Sequence, residues 1–501
     1  MSVRKAEDPN DAFTVDSRLL RESHLKGVSL PTYDRGTLVP AIVHIGVGAF
    51  HRAHQARYID QLCQQQGLQE WGILGVGIMP QDAALSQALQ RQDCLYSLTE
   101  RSGQEDHCRL VGSLVSHLLG SQDPAGVFEA IAAKETKIIS LTVTEGGYYI
   151  DESTGELDLA HHAVAHDLRD SRSPTTVFGY LLQGLMLRRS RGHGPVSILS
   201  CDNIQHNGDV VRNGLHRFAS RVAPAMADWI ASSVSFPNCM VDRITPAAGA
   251  QEGEFVERRF ALKDLCPVIC ESFSQWVIED TFIAGRPPLE RVGVQFVDDV
   301  APFERMKLRL LNATHSAMGY LGCLRGYEYI HEVAQAPEFE AFLDQLMERE
   351  MIPLVGSVPG TDLHAYKRDL LKRFRNQDVR DTVLRICSNG SAKIPAFILP
   401  AVREALDQGT SLRALACTVA GWLRCCSGED QQGHPIAISD PLADRLRATA
   451  RRSQSDPAGY LAMREIFGDL RESPRFVETL DHYLKVLYQR GAEAALQEFA
   501  T

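Results

Sequence analysis

The chain has 501 residues, 44% hydrophobic and 23% charged, enough for two domains that each bury a full core. A net charge of −11 leaves no basic surplus to neutralise phosphates, which excludes nucleic acid as the main partner. No run reaches the ~18 apolar residues that a membrane span needs.

The opening stretch, MSVRKAEDPNDAF, is polar and lacks the apolar segment of a signal peptide. The twelve cysteines follow neither a disulfide framework nor zinc-ligand spacing. Reduced thiols in a cytoplasmic protein are the expectation.

In chain order, residues 1–40 read as a loose lead-in with one short helix near 18–26. AIVHIGVGAF at 41–50 is an apolar, β-rich run ending in glycines, and residues 51–66 follow with helical spacing. WGILGVGIM at 71–79 reads as a second buried strand, with a helix from 81 onward. KIISLTV at 137–143 and VSILS at 196–200 add two more strands. Continuously apolar strands alternating with helices predict a parallel sheet covered on both faces. From about residue 302 helical periodicity takes over. The pattern therefore predicts an α/β chain: a Rossmann-type domain with a mainly parallel sheet over 1–300, then a mostly α-helical domain over 301–501.

Gly46-Val-Gly48-Ala-Phe50-His51-Arg52 stands where a dinucleotide fingerprint belongs, after a strand and opening a helix. Two glycines permit a tight turn and close approach of backbone N–H groups to a pyrophosphate. His51 replaces the third glycine, so a purely structural turn remains the competing reading. Arg52 is placed to add charge toward the phosphates. Asp82, past the second strand, is the first carboxylate that can take the ribose hydroxyls, although it lies farther on than the usual ~20 residues. No arginine lies beside it to accept a 2′-phosphate, which favours NAD over NADP.

FERMKLRLLNATHSAMG at 303–319 carries Lys307, Asn312 and His315 in a K-x4-N-x2-H pattern. On an α-helix these fall at about 0°, 140° and 80°, on one side of the cylinder. Met306, Leu310, Ala313 and Ala317 form the apolar stripe that seats it. A base, an amide and an imidazole would then share one wall of a pocket. Taken singly, Lys307 reads as a surface lysine and His315 as a satisfied core histidine.

IVHIGVGAFHRAHQARYID, LTVTEGGYYID, SCDNIQHNG, FPNCMVDRITP, ESFSQWVIED, VGVQFVDDVAPFE and the K-x4-N-x2-H segment occur in order from about residue 40. Together they resemble the polyol-specific long-chain dehydrogenases, the mannitol dehydrogenase family. The resemblance implies a metal-independent, NAD-linked interconversion of a secondary alcohol and a ketone, acting on a small polyol or ketose, in a monomer. It implies that Lys307 is the general base, that Asn312 and Asn203 hold the reacting oxygen, and that His315 binds a neighbouring hydroxyl. Arg373 and Lys393 match polyol-contacting positions. Asp242 and Glu304 match acidic residues supporting the substrate site and proton path, with Glu145 a further candidate for the relay and, like Phe50, for binding the cofactor. The chain also lacks the Cys/His spacing of zinc alcohol dehydrogenases and the Tyr-x3-Lys of short-chain enzymes.

Within that family, Gly146 in TEGGYYID and His206 in DNIQHNG resemble members that interconvert D-mannitol and D-fructose. The AGWLRCCSGEDQQGHPIAISDP and FVDDVAPFERMKLR blocks resemble fructuronate reductases. D-Mannitol/D-fructose is the favoured pair, with D-fructuronate/D-mannonate and D-arabinitol as alternatives. A catalytically idle NAD-binding regulator would need a broken proton-transfer set, whereas Lys307, Asn312, Asn203 and His315 are all present.

Overall fold

Six strands form the sheet that organises the first half of the chain: β1 (Ile42–Ile45), β2 (Ile73–Gly77), β3 (Leu114–Leu119), β4 (Ile138–Leu141), β5 (Val196–Ser200) and β6 (Val234–Ser235). They lie in the order β6-β5-β4-β1-β2-β3, and every pairing is parallel. This is the doubly wound dinucleotide-binding order, and the chain changes direction across the sheet between β1 and β4. Ile42 packs into one core cluster, while Val43 and Ile45 pack into the other. Both faces of the sheet are therefore covered, which explains why its strands read as unbroken apolar runs.

The computed structural model describes residues 12–22, 25–66, 68–103, 105–151, 154–246, 249–437, 439–453 and 456–500. The chain divides into two compact units, Met1–Ala301 and Pro302–Thr501. The expectation of a Rossmann-type sheet followed by a helical half holds. Among the described residues no helix is long and apolar enough to cross a membrane.

Several details of the first unit differ from the expectation. The stretch at 18–26 holds a 3-10 turn, Ser17–Arg21, and residues 23 and 24 lie outside the described residues. The helix expected over 51–66 is two helices, α1 (Ala49–Ala53) and α2 (Gln55–Gln66), separated by non-helical backbone at His54. A four-stranded sheet built on Tyr96–Arg101 and Asp106–Val111, and a three-stranded one containing Cys239–Asp242, went unread. Tyr96–Arg101 reads YSLTER and Asp106–Val111 reads DHCRLV, and neither is apolar enough to announce a strand.

In the second unit a long helical rod runs from α3 (Ala301–Met306) through Lys307–Asn312 to α4 (Ala313–Arg325). Its middle is a π-helix rather than the continuous α-helix expected. Two further π segments, Gln345–Met351 and Ile394–Ile398, pack against it. Pro395 gives Ile394–Ile398 a local cause, since proline cannot donate and crowds the carbonyl four residues back. Leu308, Arg309, Leu310 and Leu311 are good α formers, so packing rather than propensity widens the central turn.

Candidate active site

Gly46 closes β1 with φ +96°, and a Cβ there would fall 2.1 Å from the Thr142 carbonyl oxygen. Only glycine brings the backbone this close to the end of β4, at the point where strand order reverses. Its N–H donates to Val76 O at 2.8 Å, and the Gly48 N–H donates to Gly46 O at 2.7 Å, making a tight turn into α1.

The third glycine of the fingerprint normally permits close helix–strand packing. Here His51 on α1 stacks flat on His44 of β1, with centroids 3.4 Å apart and planes 8° apart. His44 in turn bridges β1 to β4, with Nδ1 2.8 Å from Ser140 Oγ and Nε2 2.9 Å from Thr142 Oγ1. A ring pair thus does the packing job of the missing glycine. Burial pushes His44 down to about 3 and moves His51 the same way. Neither His51 nitrogen finds a hydrogen-bond partner among the described residues. Phe50, half-buried, stacks on His54 at 5.1 Å.

Arg52 does not take the role expected of it. Its side chain is buried: Nε donates to Gly48 O at 3.3 Å, Nη1 donates to Cys266 O, and the guanidinium lies 5.3 Å from the Tyr96 ring centre. These contacts tie the turn after β1 to Cys266 and Tyr96.

Asp82 packs against the last residue of β2. Its carboxylate accepts the Met79 N–H at 2.9 Å, and a Cβ on Gly77 would meet the Asp82 Cβ at 2.7 Å. It therefore sits at the C-terminal edge of β2, where a dinucleotide-binding sheet carries its ribose carboxylate. Two helices in place of one between β1 and β2 account for the longer spacing.

Glu145, exposed, opens the 3-10 turn Glu145–Tyr148 after β4, directly after Thr144 at φ +63°. Asn203 lies exposed in the loop after β5, which Asn207 pins through Nδ2 to Asp202 O at 3.1 Å and to Cys239 O at 2.8 Å. Asp242 is buried at the end of its strand. Arg243 beside it pairs with Glu100 and donates to Ala53 O and Glu271 O, so the backbone carrying Asp242 is tied to the end of α1.

In the second unit, the π-turn revises the angles. With i→i+5 bonding, each residue advances by only ~82°, so Asn312 stands ~50° from Lys307 instead of ~140°, and His315 returns to within ~10° of it. Lys307 is 5% exposed and His315 8%. Glu304, one turn earlier, is also buried.

His315 Nε2 lies 3.2 Å from Asp381 Oδ2, an ion-pair distance with the ring out of line for a straight hydrogen bond. Burial lowers the His315 pKa, with Asp381 opposing. Although burial pushes Asp381 up, His315 and the bidentate Arg385, at 2.6 Å to each oxygen, hold it below the usual carboxylate range. Phe374 packs on the imidazole at 5.0 Å and carries the half-buried Arg373 as its neighbour on the helix Leu363–Phe374. Lys393, half-buried, donates to Ile386 O at 3.0 Å and is near enough to disfavour protonation of His315. Asp381 escaped the sequence reading because, in RDTVLR, an aspartate four residues before an arginine looks like an ordinary helix-surface pair.

Residues 40–291 match the family model described as the mannitol dehydrogenase Rossmann domain, and residues 299–488 match the mannitol dehydrogenase C-terminal domain. The chain belongs to the mannitol dehydrogenase family. Among curated members of the family, mannitol dehydrogenase DSF1 of Saccharomyces cerevisiae is 43% identical, covering 98% of each chain. Mannitol 2-dehydrogenase of Aspergillus fumigatus is 43% identical, over 94% of this chain and 95% of its own. Among solved structures, Pseudomonas fluorescens mannitol 2-dehydrogenase in ternary complex with NAD and D-mannitol superposes with a TM-score of 0.93. The two are 38% identical, over 97% of this chain and 99% of that one. A substrate-free D-sorbitol dehydrogenase gives 0.83 at 34% identity, over 97% and 100%. Mannitol dehydrogenase family membership thus spans both units of this chain.

Proposed function

We propose that the chain is an NAD-dependent polyol dehydrogenase that interconverts D-mannitol and D-fructose, with Lys307 as general base and without a metal. The observation that carries this reading is the near-full-length likeness to a mannitol 2-dehydrogenase whose structure holds NAD and D-mannitol. The chain's own residues fit the cofactor: Gly46 and Gly48 make a tight turn after β1, and Asp82 stands at the edge of β2. When bound, NAD supplies the hydride acceptor.

Lys307 takes the proton from the reacting hydroxyl. A free lysine, at pKa ~10.4, is a poor base at neutral pH, and Lys307 is buried rather than free in solvent. Asn312 and Asn203 donate amide N–H groups to the oxygen as it gains alkoxide character. His315 binds a neighbouring hydroxyl, Arg373 and Lys393 bind others, and Asp242 and Glu304 support the site. Glu145, beside the cofactor turn, serves the proton path to solvent with Glu304. All twelve cysteines are free thiols, which suits the cytoplasm, and we take the working form to be a monomer.

The test is NADH oxidation at neutral pH with D-fructose, D-fructuronate, D-tagaturonate and D-xylulose. Fructose is expected to lead. A preference for fructuronate overturns the polyol assignment in favour of D-mannonate oxidoreduction, and a preference for xylulose moves it to D-arabinitol. Size-exclusion chromatography with light scattering tests the monomer.

A further inference from the structure

The β4 ladder stops at Thr142, whose N–H donates to Ile45 O at 2.9 Å. The next two amides leave the sheet and still need acceptors. Both find them on one side chain across the loop: Val143 N–H donates to Asp202 Oδ2 at 2.9 Å, and Thr144 N–H donates to Oδ1 at 2.9 Å. The Tyr148 hydroxyl adds a third bond, to Oδ2 at 2.6 Å, and is itself 2.8 Å from Ser200 Oγ. The Asp202 carbonyl is held from the other side by Asn207 Nδ2 at 3.1 Å. Asp202 is thus fixed at both ends, and the residue that follows it is Asn203.

The far side of the clamp is strained. Thr144 has φ +63° and ψ 165°, a conformation that costs a residue with a Cβ about 1–3 kcal/mol and persists only where its surroundings enforce it. The Thr144 N–H bond to Asp202 is such an enforcement, and Glu145 follows directly.

We propose that Asp202 is a positioning residue for the reaction: by clamping the turn after β4 to the turn after β5, it sets the place of Asn203. The proposal rests on the reading of Asn203 as an oxygen-holding donor. It fits the carboxylate's electrostatics as well. Burial pushes the Asp202 pKa up to about 6, with the Tyr148 and backbone bonds opposing and Glu145 adding to the rise. Replacement by asparagine keeps the shape but turns one acceptor into an N–H donor facing another donor, which prises the two turns apart.

The experiment compares Asp202→Asn, Asp202→Glu and Asn203→Ala at saturating NAD, with folding followed by circular dichroism. Both Asp202 variants are expected to lose at least about tenfold in kcat for D-mannitol, with KM within about threefold, because a mis-set donor weakens transition-state rather than ground-state binding. Asp202→Glu keeps the charge and carries the test if the asparagine variant does not fold. Thr144→Gly, which adopts positive φ without cost, is expected to restore part of the lost kcat in the Asp202→Asn background. A purely structural role gives no such rescue.

A folded Asp202 variant with kcat within about twofold of the parent, alongside a slow Asn203→Ala, overturns the clamp and leaves Asn203 in place. An Asn203→Ala variant with parental kcat overturns the reading of Asn203, and the clamp with it.

Discussion

Lys307 and Asn312 are the first and last residues of a single π-helical turn, which brings an amine and an amide five positions apart onto nearly the same side of the rod. Were the turn α-helical, the amide would face ~140° away. Lys307→Ala is expected to reduce kcat by about 10²-fold or more, with partial recovery on adding small primary amines. Asn312→Ala is expected to cost ~10²–10³ in kcat with little change in KM. Steady-state kinetics decide both, and near-parental turnover in Lys307→Ala ends the lysine mechanism.

Asp381 holds His315 from behind. A carboxylate can only accept, so its approach to Nε2 favours the tautomer with the proton there, and in the role proposed for His315 Nδ1 is then the acceptor for a polyol hydroxyl. Asp381→Asn admits the opposite tautomer and is expected to raise KM for D-mannitol about tenfold. It also removes the charge that supports the imidazolium, so any His315-dependent acid limb of the kcat/KM profile shifts to lower pH. An unchanged KM and profile argue against the pairing.

The histidines of the first unit make its stability fall in acid. Burial pushes His44 and His54 down to about 3 and His117 to about 4, and His51 moves with them. Unfolded histidine titrates near pH ~6.5. Their contribution is therefore complete above that pH and is lost as pH falls toward the folded values, because only the unfolded chain takes up the protons. Each contributes up to ~1.4 kcal/mol per pH unit below about pH 6. Urea unfolding at pH 7.5, 6.0 and 5.0 measures the slope. His51→Leu removes no hydrogen bond, so it is expected to cost no more than about 1 kcal/mol at pH 7.5 and to flatten the slope by one proton.

Asp82→Ala is expected to weaken NAD binding about tenfold and to narrow the preference for NAD over NADP, through loss of both the ribose contact and the carboxylate that repels a 2′-phosphate. Parallel turnover with the two cofactors checks it, and an unchanged ratio refutes the assignment. Exhaustive dialysis against EDTA is expected to leave activity intact; loss restored by zinc would overturn the metal-free mechanism.

The sheet was legible in the sequence because β1, β2, β4 and β5 are buried on both faces and so carry unbroken apolar runs. Gly46 was legible because its backbone admits no Cβ. The inward turn of Arg52 was not legible, because spacing locates a residue on a helix but does not say which face packs inward. The π-turn was invisible, since Leu308–Leu311 has an ordinary α-forming composition and the widening comes from packing. Asp381 and Asp202 act through partners distant in sequence or held by backbone amides, and neither relation has a local signature.

Each π-turn seats one more residue per hydrogen-bonded loop than an α-turn does. Three such turns lie in the second unit, with Gln345–Met351 and Ile394–Ile398 each packed against Lys307–Asn312. Any comparison of the segment between Lys307 and Asn312 by α-helical phase therefore assigns the amide to the wrong face.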